Sequence, residues 1–158
     1  MRPLDGSDLQ AFIDARGLDA AILPMDRHTA TVAEAAAALG VDSQRIIKSL
    51  LFVADQQPVL VINAGMARVD RKKLAAHLGL NRKRVKFATS AQVLEIAGYA
   101  VGGMPPFGHR QPLRTLVDTA VIGLTTVYGG GGAVDAMMRL STSELMRATQ
   151  AEAVDLCQ

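Results

Sequence analysis

The 158-residue sequence has a single cysteine, Cys157, the next-to-last residue. One thiol excludes an internal disulfide, and a position beside a chain end, where order frays, suits a catalytic nucleophile badly. Long hydrophobic runs are also missing. The longest, Ile46 to Ala54, is interrupted by Lys48 and falls far short of the about 20 apolar residues of a membrane-spanning helix. Arg2, Pro3, Asp5 and Asp8 open the chain with no apolar stretch behind them, so no secretory signal is read and a cytoplasmic location is expected. His28, His77 and His109 lack HExxH spacing and no CxxC occurs, so neither a metal nor another cofactor is expected. Ser49, Ser90 and Ser141 lie outside any GxSxG elbow, and no GxGxxG follows a first strand, which argues against serine hydrolysis and dinucleotide chemistry.

What is present suits a folded chain: 49% hydrophobic residues against 20% charged ones can bury a core, and a single domain over residues 1–158 is expected. Residues 4–15 read as a helix stopped by Gly17, and 20–24 as a short strand. Thr31 with Glu34 forms a capping box for an alanine-rich helix that Gly40 ends. Residues 46–54 and 58–63 read as a hairpin joined by Asp55, Gln56 and Gln57. A helix over 70–78 ends at Gly79, 85–88 is a strand, and Ser90 caps a helix ending at Gly98. Beyond Tyr99 strands are read at 117–121, 124–128 and 136–140, then a last helix capped by Thr142. Strands and helices alternate irregularly with no repeat, so the expected class is α+β, a mixed, partly closed barrel-like β-sheet with surrounding helices.

Charge is unevenly spread although the formal net charge is only +2. Arg68, Arg71, Lys72, Lys73, Arg82, Lys83, Arg84 and Lys86 are eight of the 17 basic residues, with Asp70 the one acid among them. Such a cluster suits a polyanion, because bound phosphates release counterions; a merely soluble surface is the alternative.

Three stretches can hold chemistry. Lys48 lies in IIKSLLFV, where neither strand face is polar, so it either snorkels into water or meets an anion at a pocket mouth. VGGMPPFGH, residues 101–109, joins flexible Gly102, Gly103 and Gly108 to stiff Pro105 and Pro106, and such a loop can aim amide N–H groups at an oxyanion. Phe107 there is a core anchor or a ligand wall; His109 is a base, a tRNA contact or an ordinary loop residue. The third, YGGGG at 128–132, lacks the GK[ST] of a phosphate loop and is either a turn or a place where a ligand lies directly against backbone.

These stretches, in order, resemble the YbaK-type aminoacyl-tRNA deacylases, which stand alone or form the editing insertion of prolyl-tRNA synthetases. The matching segments are RIIKSLLF, VINAGMARVDRKKLAAHLG, GYAVGGMPPFGHRQPLRTLVD and the glycine turn before AMMRLSTSEL, together spanning residues 20–148. The resemblance implies a barrel-like sheet with a pocket for the 3′ end of tRNA, and hydrolysis of a wrongly attached amino acid. It implies a catalytic role for Lys48, and a substrate pocket shaped by Gly102, Gly103, Pro106, Phe107, Gly108 and His109 with Gly131 and Gly132. The expected partner is mischarged tRNA, tRNA(Pro) foremost, with transient synthetase association and no membrane. Met66 and Ala67 replace the family's usual loop residues, and Met137 stands where cysteine-removing members carry an acid. The amino acid removed therefore stays open, and a non-catalytic tRNA-binding or synthetase-associated module is the alternative.

Overall fold

The computed structural model describes residues 2–158. Helix α1, Gly6–Arg16, is started by Asp5, whose carboxylate accepts from the Ser7 and Asp8 amides, and is stopped by left-handed Gly17. Strand β1, Ala20–Pro24, leads to α2, Val32–Leu39, where Thr31 and Glu34 form the expected capping box and Gly40 the stop. Strands β2, Ile47–Ala54, and β3, Gln57–Ala64, pair antiparallel with Lys48 opposite Asn63. Their connection is tighter than the three residues expected: Asp55 and Gln56 alone form it, at φ 50 and 69, the positive angles a type I′ turn requires.

Helix α3, Arg71–Leu78, is followed by β4, Val85–Phe87, and α4, Ser90–Ala97, which Thr89 rather than Ser90 caps. Strand β5 is Arg114–Asp118, so the strand expected over 117–121 starts earlier and stops at Asp118. There the Asp118 carboxylate accepts from the Ala120 and Leu156 amides and opens the short helix α5, Thr119–Ile122. Strands β6, Thr126–Gly130, and β7, Ala136–Ser141, precede α6, Thr142–Thr149, capped by Ser141 rather than Thr142. Strand β8, Glu152–Val154, has no counterpart in the sequence reading.

The strands form two sheets, one of order β1-β7-β6 and one of order β4-β2-β3-β5-β8. They meet through a bridge between Ile46 and Tyr128, so the sheet is mixed and helix-covered as expected but does not close into a barrel. The larger sheet buries both faces. On one, Ile47, Leu51, Leu60 and Ile62 pack with Leu9 and Ile13 of α1, Val93 of α4 and Leu145 of α6. On the other, Phe52, Val59 and Val61 pack with Leu74 and Ala75 of α3. This two-sided burial explains why residues 46–54 and 58–63 read as nearly continuous apolar runs. Truncating the fully buried Leu60 to alanine removes about 2–5 kcal/mol of stability.

Candidate active site

Strand β2 is paired unevenly, and the gap makes a cavity. The hydrogen bond from the Ala88 amide to the Leu51 carbonyl shows that odd-numbered residues turn their backbone groups toward β4. Pairing with β4 begins only at Phe52, while Ile46 bridges β6. Between these contacts the strand edge around Ser49 faces a chamber of about 350 Å³, bounded by residues 29–32, the start of α4, Val101, Gly102, Met104, Gly130 and Met137. That volume lies at the small end of ligand cavities. The first turns of α2 and α4 border it, and a helix N-terminus carries partial positive charge.

Among the described residues Lys48 is the one charged residue lining this chamber. Its ammonium donates to the Ala67 carbonyl at 3.1 Å, and Asn63 Nδ2 donates to the same oxygen at 2.8 Å. Gly65, at φ 63, turns the chain after β3 so that Ala67 comes back over the Lys48–Asn63 pair. An ammonium has three donors, and the loop engages one. Partial burial lowers the Lys48 pKa, Arg68 lowers it further, and the Cys157 thiol acts in the opposite sense.

Lys48, Leu50 and Phe87 line a second cavity as well, a groove of about 580 Å³ that runs to Arg68, Arg71, Lys72 and Arg82, with Asp70 the one acidic side chain there among the described residues. The Asp70 carboxylate is engaged in capping α3, where it accepts from the Lys72 amide. Four of the eight clustered basic residues thus line the groove with Lys48, and four do not. Lys73 pairs with Asp155 at 3.0 Å and donates to the Cys157 carbonyl. Arg84 pairs with Asp55 at 2.7 Å beside the hairpin turn. Lys83 and Lys86 are exposed outside both cavities.

The glycine–proline loop divides at Met104. Gly102, at φ 106, lines the chamber, and Gly103 supports it: a Cβ on Gly103 would come within 2.7 Å of the Ala133 backbone. Pro106, Phe107, Gly108 and His109 turn the other way and line a separate depression beside Phe12 and Arg16. Phe107 is a core anchor, stacked on Phe12 with ring centroids 5.5 Å apart. His109 Nε2 donates to the Pro105 carbonyl at 2.8 Å, and because a carbonyl can only accept, Nε2 carries the proton. Burial pushes its pKa down, partly offset by that carbonyl. It does not line the Lys48 chamber but the depression beside Phe12 and Arg16, so it is not placed as a base for chemistry at Lys48.

Gly131 and Gly132 shape the chamber only from behind. Their amides are spent on the Ala136 and Gly103 carbonyls. A Cβ on Gly131 would strike Ala136 at 2.7 Å, and one on Gly132 would strike Gly6 at 2.9 Å. The backbone lying against the glycine run is the protein's own, and Gly130 is the member of the run that reaches the cavity.

Three side chains at the site escaped the sequence reading. Asn63 is fully buried and its Oδ1 has no partner; the hairpin register, once set at two turn residues, is the signal that pairs it with Lys48. Ser49 also has a buried hydroxyl with no partner. Phe87 is 56% exposed although its cross-strand neighbour Phe52 is fully buried. The strand expected over 85–88 is present as β4, but its pairing with β2 cannot be read from local pattern.

A family model for the aminoacyl-tRNA editing domain matches residues 26–148. The chain belongs to this family. An uncharacterized protein of Bacillus subtilis, YwhH, is 29% identical over 139 residues, 87% of each chain. A proline–tRNA ligase of Ligilactobacillus salivarius is 37% identical over 100 residues, which are 63% of this chain and 17% of the ligase. The chain therefore corresponds to a small segment of that larger enzyme. Among solved structures, a candidate trans-editing enzyme for prolyl tRNA synthetase superposes with a TM-score of 0.90 at 32% identity, covering 97% of this chain and 96% of its own. Among the described residues no helix is long and apolar enough to cross a membrane.

Proposed function

We propose that this editing-domain protein acts in trans to hydrolyse the ester between a small, wrongly attached amino acid and the terminal adenosine of a tRNA, with tRNA(Pro) as the tRNA. The observation that carries the proposal is the position of Lys48, on the shared boundary of a basic groove and a nearly uncharged chamber. The groove suits the phosphates of the acceptor end, and the chamber suits the acyl group. The likeness to a proline–tRNA ligase segment and to a candidate trans-editing enzyme supports the choice of tRNA.

Among the described residues the chamber lining has hydroxyl side chains and one ammonium but no carboxylate, imidazole or thiol. Ser49 Oγ has no hydrogen-bond partner, hence no adjacent base to activate it as a nucleophile. Water therefore attacks the ester carbonyl directly, the bond from that carbon to the ribose oxygen breaks, and the ribose oxygen leaves with a proton, giving free amino acid and intact tRNA. The first turns of α2 and α4 favour the negative charge that develops on the carbonyl oxygen. Lys48 holds the phosphate of the terminal nucleotide, releasing the Ala67 carbonyl or sharing its ammonium with it.

Selection is steric. Met137 is 2% exposed and forms apolar chamber wall with Ile46 and Val32, so side-chain volume is limited on that side and a cationic side chain has no counter-ion there. The test is ester loss from alanyl-, cysteinyl-, seryl- and threonyl-tRNA(Pro) beside correctly charged prolyl-tRNA(Pro). Accelerated loss from one or more mischarged members, with prolyl-tRNA(Pro) spared, is expected. Binding without acceleration of any member would instead identify a non-catalytic module.

A further inference from the structure

The ribose of a terminal nucleotide carries three groups that must all be placed: a 5′-phosphate, an acyl ester and a base. With phosphate in the groove and ester in the chamber, the ribose sits where the two cavities join, and the base must lie against the wall of that junction. The residues lining both cavities are Lys48, Leu50 and Phe87. Lys48 is occupied with charge and Leu50 offers only an aliphatic surface, whereas Phe87 offers a ring.

We propose that the Phe87 ring is the stacking platform for the terminal adenine, and that it fixes the nucleotide between groove and chamber. This rests on the deacylase reading above and adds the residue that binds the base. Phe87 ends strand β4, pairs with Phe52 of β2 where the two strands begin to pair, and holds its ring 4.4 Å from the Phe52 ring at 31°. That contact backs the ring with a fully buried neighbour while 56% of Phe87 stays exposed. The sequence has only four phenylalanines and two tyrosines, so a half-bare aromatic at the one place shared by both cavities has a use that its folding contacts leave unaccounted for. Val101, 59% exposed, lies on the rim of the same chamber and bounds it on the loop side. Base-on-aromatic stacking tolerates any base but needs a π face, which separates it from plain hydrophobic contact.

The sequence contains no tryptophan, so Phe87→Trp installs a sole indole at the proposed platform. Its fluorescence is titrated with an uncharged acceptor-stem minihelix ending in adenosine, and with the same minihelix ending in an abasic ribose. Quenching by the first and a markedly weaker response to the second are expected. In deacylation assays, Phe87→Ala and Phe87→Leu should each raise KM about 10- to 100-fold with kcat nearly kept, while Phe87→Tyr stays near wild type. Leucine keeps the apolar bulk, so a Phe87→Leu protein with wild-type KM would overturn the proposal, as would equal quenching by the abasic minihelix. Because the titration reads binding alone, it judges the platform even if no mischarged tRNA is hydrolysed, an outcome that would sink the deacylase reading instead.

Discussion

The chamber and the groove share a wall but are built from opposite materials. Among the described residues the chamber has one cationic side chain, largely apolar walls and two helix starts; the groove has Lys48 with Arg68, Arg71, Lys72 and Arg82, and its one acidic side chain is engaged in capping. A basic groove reads any phosphate chain and carries no information about the amino acid, whereas an apolar chamber reads size and is indifferent to the tRNA. Joining them at one ammonium lets a polyanion be captured with long-range charge and its last few atoms be tested by short-range packing. The two tasks also respond differently to conditions, since salt screens the first and leaves the second almost untouched.

That contrast can be broken most severely at Lys48. Lys48→Ala removes the group common to both regions and should lower kcat/KM for the mischarged tRNA by at least about 100-fold, the scale of losing a charge-assisted contact in a partly desolvated site. Circular dichroism should show the fold intact, because the replaced ammonium donates to the Ala67 carbonyl and Asn63 still binds that oxygen. A folded Lys48→Ala protein with ordinary turnover would remove the lysine from the account.

Altering the groove alone should give a smaller and different effect. Arg68→Ala with Arg82→Ala should raise KM several-fold, leave kcat and acyl preference unchanged, and reduce the slope of log affinity against log salt by about 1 to 2, roughly one for each lost phosphate contact. Lys73→Ala, whose ammonium is spent on Asp155 and the Cys157 carbonyl, should leave the slope where it is. A slope that responds equally to Lys73 and Arg68 would mean that the basic cluster acts as a diffuse field rather than through the groove.

His109 sharpens the comparison from the far side of the loop. Its folded-state pKa lies below the ordinary value of 6.5 because burial disfavours the imidazolium. Above 6.5 the ring is neutral in both states and its contribution to stability is complete. As pH falls below that, the unfolded chain takes up the proton first, and the contribution is lost on passing through the depressed folded value. Melting temperature should therefore drop between pH 7.5 and 5 in the wild type and drop less in His109→Gln, with editing at pH 7.5 close to normal. Loss of turnover in a stable His109→Gln protein would bring the second half of the loop into the site.

The smallest effect concerns the hairpin that sets Lys48 opposite Asn63. Gln56 holds φ 69, an angle that costs a residue with a Cβ about 1 kcal/mol. Gln56→Gly should stabilise the protein by up to that amount in urea unfolding, with unchanged kinetics. Destabilisation would show that the Gln56 side chain contributes more than its strain removes.

How much of this was legible in the sequence depends on how local the cause is. Capping by Thr31 and Glu34, and the stops at Gly17, Gly40, Gly79 and Gly98, rest on neighbours within four residues, and all are present. Lys48 stood out because an ammonium in an apolar strand needs a reason, and the structure brings it to two cavities. The division of the 101–109 loop was not legible, because it depends on Phe12 and Ala133, which lie far off in the chain. The same holds for β8, whose three residues pair with β5 across more than 30 positions, and for Phe87, whose exposure is set by where β4 stops. The glycine run read as a turn or ligand surface, yet Gly129 and Gly130 are strand: the missing side chains admit Ile47 and the Met104 backbone. Close approach between distant segments leaves glycines in a sequence but not the name of what approaches.

The central claim, that the Lys48 ammonium fixes the terminal phosphate while the chamber holds the ester, is tested most directly with two minimal substrates, alanyl-adenosine and its 5′-phosphate. The measurement is kcat/KM for both with wild-type and Lys48→Ala protein. The account predicts that the phosphate improves kcat/KM in the wild type and makes little difference in the variant. An equal gain from the phosphate in both proteins would contradict it.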